Sequence, residues 1–92
     1  MSRPTDRTPW PQRARSLAPR QYRGADEQPV RAPRPFPVRA WIVTVAGDDL
    51  EVDGEAVAWT RRAVHVRYTD RHGRPDDAWV WVGAVTRRPD GR

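Results

Sequence analysis

Apolar and polar residues alternate along the C-terminal half of the chain, in short runs separated by polar or glycine-containing segments. The clearest run, Ala63–Thr69, places Val64, Val66 and Tyr68 on one face and polar residues on the other, which is the period of a half-buried strand. The runs are rich in β-branched and aromatic residues, and none of them has the length or period of a helix. They predict five short strands, over residues 38–45, 55–60, 63–69, 78–82 and 85–88.

Turn-forming residues separate these strands. Residues 46–49 (Ala-Gly-Asp-Asp) predict a turn, and a short strand at 50–52 is followed by Asp53-Gly54, a typical hairpin dipeptide. The segment 70–77 predicts a polar loop, and Gly83-Ala84 predicts a break before the last strand.

The first 37 residues have a different pattern. They hold eight of the ten prolines and few aliphatic residues. Such a segment buries too little surface to offset an ordering cost of about 1–2 kcal/mol per residue. We therefore expect a disordered arm over 1–37, a β domain over 38–88 and a disordered tail over 89–92.

A domain of some fifty residues is near the lower size limit for an independent core. Large side chains have to fill it, and we expect these to be Trp41, Trp59, Tyr68, Trp79 and Trp81. A closed or nearly closed barrel hides most strand edges for a given amount of core.

The order and spacing of these elements resemble a Src-homology-3-like or Tudor-type small barrel. The ending Trp79–Val85, a strand followed by a short turn and a final strand that begins at valine, is typical of that fold. The segments Ala56–Thr60, Val64–Tyr68 and Trp79–Trp81 are also similar to short, mostly uncharacterised actinobacterial proteins. The resemblance covers residues 38–88 and implies a five-stranded all-β barrel, a fold that commonly binds RNA, DNA, peptides or modified side chains.

Charge is divided unevenly between the two parts. Residues 1–37 contain eight arginines and three acids, a net charge of +5, whereas residues 38–92 contain nine of each and are neutral. An arginine-rich arm can thread along phosphates. Lysine and asparagine are absent, so the arginine content has a second explanation, the codon bias of a GC-rich genome.

The residues do not indicate catalysis or cofactor binding. The chain has no cysteine and two histidines, His65 and His72, and its serines, Ser2 and Ser16, lie in the arm. The acidic segment Asp49–Gly54 lacks the glutamate that a calcium loop requires at its twelfth position. We expect a non-enzymatic protein without metal or cofactor. With no apolar run of membrane-spanning length and no signal peptide, we expect it in the cytoplasm, without a membrane partner.

The strand 78–82 is apolar on both faces, and its orientation is left open. If Val80 and Val82 point inward, Trp79 and Trp81 form an outer aromatic patch that could stack bases or dock on a partner. If the tryptophans point inward, they are core residues.

The leading hypothesis is an accessory protein that associates with RNA, DNA or a nucleoprotein complex. The arm and an arginine–aromatic face of the barrel would supply the contacts. The alternative is a protein-interaction adaptor or homodimer that uses the apolar strand 78–82. The candidate binding residues are Arg13, Arg15, Arg20, Arg23, Arg39, Arg67, Trp79 and Trp81.

Overall fold

The computed structural model describes residues 8–89 and shows one antiparallel sheet of five strands. The all-β class predicted from the sequence is confirmed. The disorder expected for residues 1–7 and 90–92 lies outside the described residues. The strands are Val30–Val43 (β1), Asp49–Trp59 (β2), Ala63–Thr69 (β3), Pro75–Trp81 (β4) and Val85–Arg87 (β5). A short α-helix, Pro19–Arg23 (α1), precedes them, and 3₁₀ turns lie at Trp10–Gln12 and Val82–Ala84.

The strands are ordered β4-β3-β2-β1-β5. The antiparallel pairs β1–β2, β2–β3 and β3–β4 join strands that follow one another in the chain, and β5 returns to pair with β1 at Val38–Ala40. Within residues 8–89 no ladder joins β4 to β5, so strand pairing does not close the sheet into a barrel.

The first strand begins at Val30, eight residues before the predicted start at Val38, and crosses the domain boundary that we expected at residue 37. Its register against β2 shifts between Arg31 and Phe36, across Pro33 and Pro35. Proline fits the extended backbone but has no N–H to donate, so an irregularity is expected there.

The second strand runs without interruption through Asp53-Gly54, so the hairpin predicted at this dipeptide is wrong. Gly54 faces Tyr68 of β3, and a Cβ on Gly54 would lie only 2.5 Å from the carbonyl oxygen of Arg67. Glycine is therefore needed at this position for the close approach of two strands, not for a turn.

Small aliphatic residues and Tyr68 fill the core, which lies on the inner face of the sheet. The expectation that tryptophans supply it is wrong, because Trp41 and Trp81 are 52% and 48% exposed, Trp79 is only half-buried, and half-buried Trp59 packs at the margin of the core. The alternation of side chains puts Trp79 and Trp81 on the outer face of β4. The core cluster comprises Ala14, Val38, Ala40, Ile42, Ala56, Val64, Val66, Tyr68, Ala78 and Val80.

Candidate functional site

The orientation of β4, which the sequence left open, places its tryptophans outside. Val80 is 8% exposed and belongs to the core, whereas Trp79 and Trp81 lie on the opposite face of the strand. Val82, which was expected on the same face of the strand as Val80, lies beyond β4 and is exposed.

Trp79 is covered by aromatic rings of its own chain. The ring of Tyr22 in α1 stacks on the indole with 3.9 Å between centroids and 2° between planes. The imidazole of His65, its cross-strand neighbour in β3, lies 5.1 Å away and almost parallel. His65 also bonds Asp77, with 2.7 Å from Nε2 to Oδ2. Parallel offset rings at these distances stabilise each other beyond the area that they bury.

The segment 8–17 of the expected arm lies along the free edge of β4. The amide of Thr8 donates to the carbonyl of Pro75, and that of Leu17 donates to the carbonyl of Trp79. The Oγ of Ser16 accepts a hydrogen bond from the amide of Trp79. Part of the β4 edge is thus covered, as natural sheets require of an exposed edge.

The same segment pairs with the end of β1. The amide of Arg15 donates to the carbonyl of Val43, and the amide of Val45 donates to the carbonyl of Arg13. Between these bonds Ala14 is buried at the core, and its amide donates to the carboxylate of Asp76 over 2.9 Å. Residues 13–17 therefore span the opening between β1 and β4.

Asp76 is the polar group that fixes this segment from inside. It is 2% exposed, and its Oδ2 accepts hydrogen bonds from the Tyr68 hydroxyl at 2.6 Å and from the amide of Ala14. Burial, followed by the hydrogen bond to Asp76, raises the pKa of the Tyr68 phenol well above its usual range. The phenol therefore stays protonated and remains a donor to the carboxylate.

The helix α1 and the turn between β2 and β3 pack against each other and form a corner that carries four arginines. We call it the α1 corner and define it as Arg20, Arg23, Arg61 and Arg62. The Nη2 atom of Arg62 lies 3.3 Å from the position that a Cβ on Gly24 would take, at the C-terminal end of α1. The hydroxyl of Thr60 donates to the carbonyl of Tyr22, which ties α1 to the turn.

The acids near the α1 corner are Asp26 and Glu27. Glu27 accepts a hydrogen bond from the amide of Arg61 at 2.7 Å and lies 3.7 Å from its Nε, yet the Arg61 side chain is 86% exposed. The Nε of Arg23 and the Oε1 of Glu27 are buried without a hydrogen-bond partner among the described residues. The four arginines of the corner outnumber these two acids, so the corner has a net positive charge.

Trp81 lies beside the α1 corner. It faces Ala63 across the β3–β4 ladder, and the amide of the next residue, Val82, donates to the carbonyl of Arg62. The indole, which is 48% exposed, therefore belongs to the residue opposite Ala63, which directly follows the two arginines of the turn. Arginine beside an exposed aromatic ring is the combination that binds single-stranded nucleic acid.

Two predicted site residues, Arg39 and Arg67, are neutralised by acids on the neighbouring strand. Arg39 bonds Asp53 at 3.0 Å and Arg67 bonds Glu55 at 2.7 Å. The hydrogen bond from Arg39 holds the pKa of the Asp53 carboxyl below its usual range. These outward-facing ion pairs leave little net charge on the middle of the sheet.

The remaining predicted site residues fall into two groups. Arg13 and Arg15 hold the segment 8–17, because the Nε of Arg13 donates to the carbonyl of Thr8 and Nη2 of Arg15 donates to that of Val45. Arg20 and Arg23 lie in α1, next to Trp79 and its stacked ring. The structure therefore brings Arg20, Arg23, Trp79 and Trp81 to one side of the sheet.

Sequence reasoning missed Tyr22 as a ring partner and left Arg61 and Arg62 out of the candidate set. The signal for the turn arginines was present, since two adjacent arginines between two strands must project at one end of a hairpin. Nothing local pointed to Tyr22, because its partner is 57 residues further along the chain.

No family model, curated protein or solved structure matches the chain. Among residues 8–89, no cluster of three or more histidine and acidic side chains is arranged to hold a metal ion. None of the helices in that part of the chain is long and apolar enough to cross a membrane.

Proposed function

We propose that the protein is a non-catalytic binding module that associates with single-stranded nucleic acid, or with a nucleoprotein complex that presents it. The contact surface is the α1 corner together with Trp81. The observation that carries the proposal is that α1 packs against the turn between β2 and β3, so that two segments with two arginines each meet next to the end of β4 that carries an exposed indole. The ion-paired residues Arg39 and Arg67 lie outside this surface and contribute little to it, because acids neutralise them.

We also propose that the architecture is that of a Src-homology-3-like or Tudor-type barrel. Three observations support it: the strand order β4-β3-β2-β1-β5, the 3₁₀ turn between β4 and β5, and the segment 13–17 across the opening between β1 and β4. The likeness to actinobacterial proteins and the cytoplasmic location stay predictions.

The alternative, an adaptor that docks through the strand 78–82, finds less support. The free edge of that strand is partly taken by Thr8, Ser16 and Leu17 of the same chain. Its inner face is in the core, and Trp79 on its outer face is covered. Within residues 78–82, only the end at Trp81 and Val82 is exposed to a partner.

The charge part of the proposal is tested with two matched double variants. Arg20→Gln with Arg61→Gln removes two exposed arginines of the α1 corner, and Arg39→Gln with Arg67→Gln removes two ion-paired arginines of the sheet. Binding of a labelled oligothymidine of about 16 nucleotides is followed by fluorescence anisotropy over a range of salt concentrations. We expect the first pair to weaken binding and reduce the slope of log K against log salt by about 1.4, since each phosphate contact contributes about 0.7.

The second pair should leave the slope nearly unchanged. Equal losses in both variants would contradict the placement of the surface at the α1 corner. Failure of the wild-type protein to bind any single-stranded RNA or DNA at low salt would overturn the proposed function.

The aromatic part is tested with Trp81→Ala. Loss of a stacking platform should cost about 1–3 kcal/mol of binding free energy. Trp41→Ala is the control, because Trp41 is similarly exposed but lies on β1, opposite Glu51, and not on β4. An equal loss in the two variants would indicate a nonspecific effect of indole removal.

A further inference from the structure

We propose that Trp79 is a second stacking site, for an unpaired nucleobase, and that Tyr22 occupies it in the free protein as an intramolecular substitute. Binding of the strand then requires α1 to move from the face of Trp79. This inference rests on the proposed function and specifies how the strand and the protein's own helix compete for one ring.

The geometry of the stack is that of a base on an indole. The rings of Tyr22 and Trp79 are parallel within 2° and their centroids are 3.9 Å apart. Stacking of this kind depends on a planar π surface and not on hydrogen bonds, so a nucleobase can replace the phenol ring. Among the described residues, no hydrogen bond to the Tyr22 hydroxyl is found. The side chain of Tyr22 therefore contacts Trp79 through its ring.

The helix that carries Tyr22 is weakly held. It has five residues, none of them buried, which is far below the length at which a helix is stable in water. Its attachments are few: the stacked ring, the hydroxyl of Thr60 on the carbonyl of Tyr22, and Arg62 against Gly24. Gly24 follows the helix with φ of 65°, a conformation suited to a hinge. Segments with so few buried contacts open at low cost.

Space for a nucleotide already exists beside the ring. A groove of about 750 Å³ borders Trp79 and lies within the size range of small-molecule sites. Its lining includes the apolar residues Val57 and Ala58, the exposed Arg31, the ion-paired Arg67, and the acids Asp76 and Asp77. A base on Trp79 would thus have apolar side chains in the same groove, and Arg31 would be the cation for a flanking phosphate.

The two sites are linked by the helix itself. Arg20 and Arg23 of the α1 corner belong to the same five residues as Tyr22. A strand bound to these arginines lies next to Trp79, where it can displace the ring. We call the state with Tyr22 stacked on Trp79 the closed state. Because one stacking site is blocked in this state, the apparent affinity of the protein for the strand falls as the closed fraction rises.

The test compares Tyr22→Ala with Tyr22→Phe in the full chain, with the same labelled oligothymidine as probe. Removing the ring should tighten binding by about 2- to 12-fold, the equivalent of one aromatic pair of about 0.5–1.5 kcal/mol. Phenylalanine keeps the stacked ring and should bind as the wild type does. Adding Trp79→Ala to the Tyr22→Ala variant should remove the gain, since the exposed indole is its source.

A second test uses the wild-type protein, so its result does not depend on whether a variant folds. Hydrogen exchange at the amides of Tyr22 and Gly24, which are bonded within α1, should become faster when the oligonucleotide is bound. Slower exchange at these amides would overturn the inference, and so would a Tyr22→Ala variant that binds no more tightly than the wild type. Neither result would contradict the proposed function. Absence of binding by all variants and by the wild type would overturn both.

Discussion

Two carboxylates inside or near the core determine how the N-terminal segment is attached. Asp76 bonds the amide of Ala14 and the hydroxyl of Tyr68 from a buried position. Asp70 accepts hydrogen bonds from the amides of His72 and Arg74 in the β3–β4 loop and from the hydroxyl of Thr8. At both sites a charged acceptor joins residues that are more than sixty positions apart, so each is expected to matter more than a surface ion pair.

The first prediction concerns Tyr68. Replacing it with phenylalanine removes one donor to the buried carboxylate of Asp76 while the ring remains in the core. We expect the free energy of unfolding to fall by about 1.5–3 kcal/mol, the usual contribution of a hydrogen bond to a charged group. Urea denaturation measures this, with Tyr22→Phe as the control that removes a hydroxyl outside the core. A loss below about 0.5 kcal/mol would mean that the carboxylate finds another donor.

The second prediction concerns Asp70 and pH. Partial burial raises the pKa of its carboxyl, but the hydrogen bonds from Arg74, His72 and Thr8 outweigh burial and hold it well below its usual range. The folded protein therefore favours the ionised form, so the stabilisation is present above the unfolded pKa of about 3.9 and is lost as the pH falls below it.

Asp70→Asn does not titrate and lacks this contribution at every pH. We therefore expect the Tm of the wild type to exceed that of the variant at pH 7. The difference should shrink as the pH is lowered from about 5 toward 2. Scanning calorimetry at several pH values measures this, and a difference that does not change with pH would contradict the role assigned to Asp70.

Among the secondary-structure elements, the β2–β3 pair has the tightest steric requirement. Gly54 packs directly on the backbone of β3. Gly54→Ala should destabilise the fold by about 1–3 kcal/mol, as overpacking does in a closely packed core. Gly83→Ala is the matched control, since a Cβ there meets nothing within 4 Å. Chemical denaturation of the two variants compares them, and equal stabilities would refute the close approach at Gly54.

Elements with a strong local pattern could be predicted from the sequence. The strand Ala63–Thr69 was predicted with its observed bounds, because its alternation is uninterrupted. The prediction of a hairpin at Asp53-Gly54 was wrong because glycine serves either a turn or a close approach of two strands. Only the position of Tyr68 on the neighbouring strand shows which of the two applies. The start of β1 was predicted too late because the prolines within residues 30–37 disfavour the prediction of a strand, although the backbone there is extended.

The candidate site could be predicted only in part for a related reason. The outward position of Trp79 was one of two orientations that the pattern allowed, and a small alanine-rich core decided it. The ion pairs of Arg39 and Arg67 depend on strand register. The ring of Tyr22 comes from a segment whose composition indicates disorder. Contacts that join distant parts of the chain leave no local signal.

At the scale of the whole molecule, the main feature is an N-terminal segment that completes the sheet. Residues 13–17 bond both to the end of β1 and to the edge of β4. The arginine-rich N-terminal segment and the strands therefore belong to one folded unit. Within it, α1 and its arginines lie beside the turn between β2 and β3.

The fourth prediction tests this segment with Leu17→Pro. Proline has no amide to donate to the carbonyl of Trp79, so part of the β4 edge is freed. We expect a loss of about 1 kcal/mol in the free energy of unfolding and stronger self-association, because an open edge can pair with another copy. Leu17→Ala keeps the amide and is the control. Sedimentation velocity at several protein concentrations measures association, and identical behaviour of the two variants would refute the role of the segment.

The packing of residues 8–17 against the later strands has a consequence during synthesis. Thr8, Ala14 and Leu17 leave the ribosome well before Pro75–Trp81, to which they bond, has been translated. Contacts of such long sequence separation form slowly, after the costly closure of a large loop. Residues 8–17 therefore stay unattached in the nascent chain until residues 75–81 have been made, and until then proteases and chaperones have access to a stretch that the folded protein keeps in place.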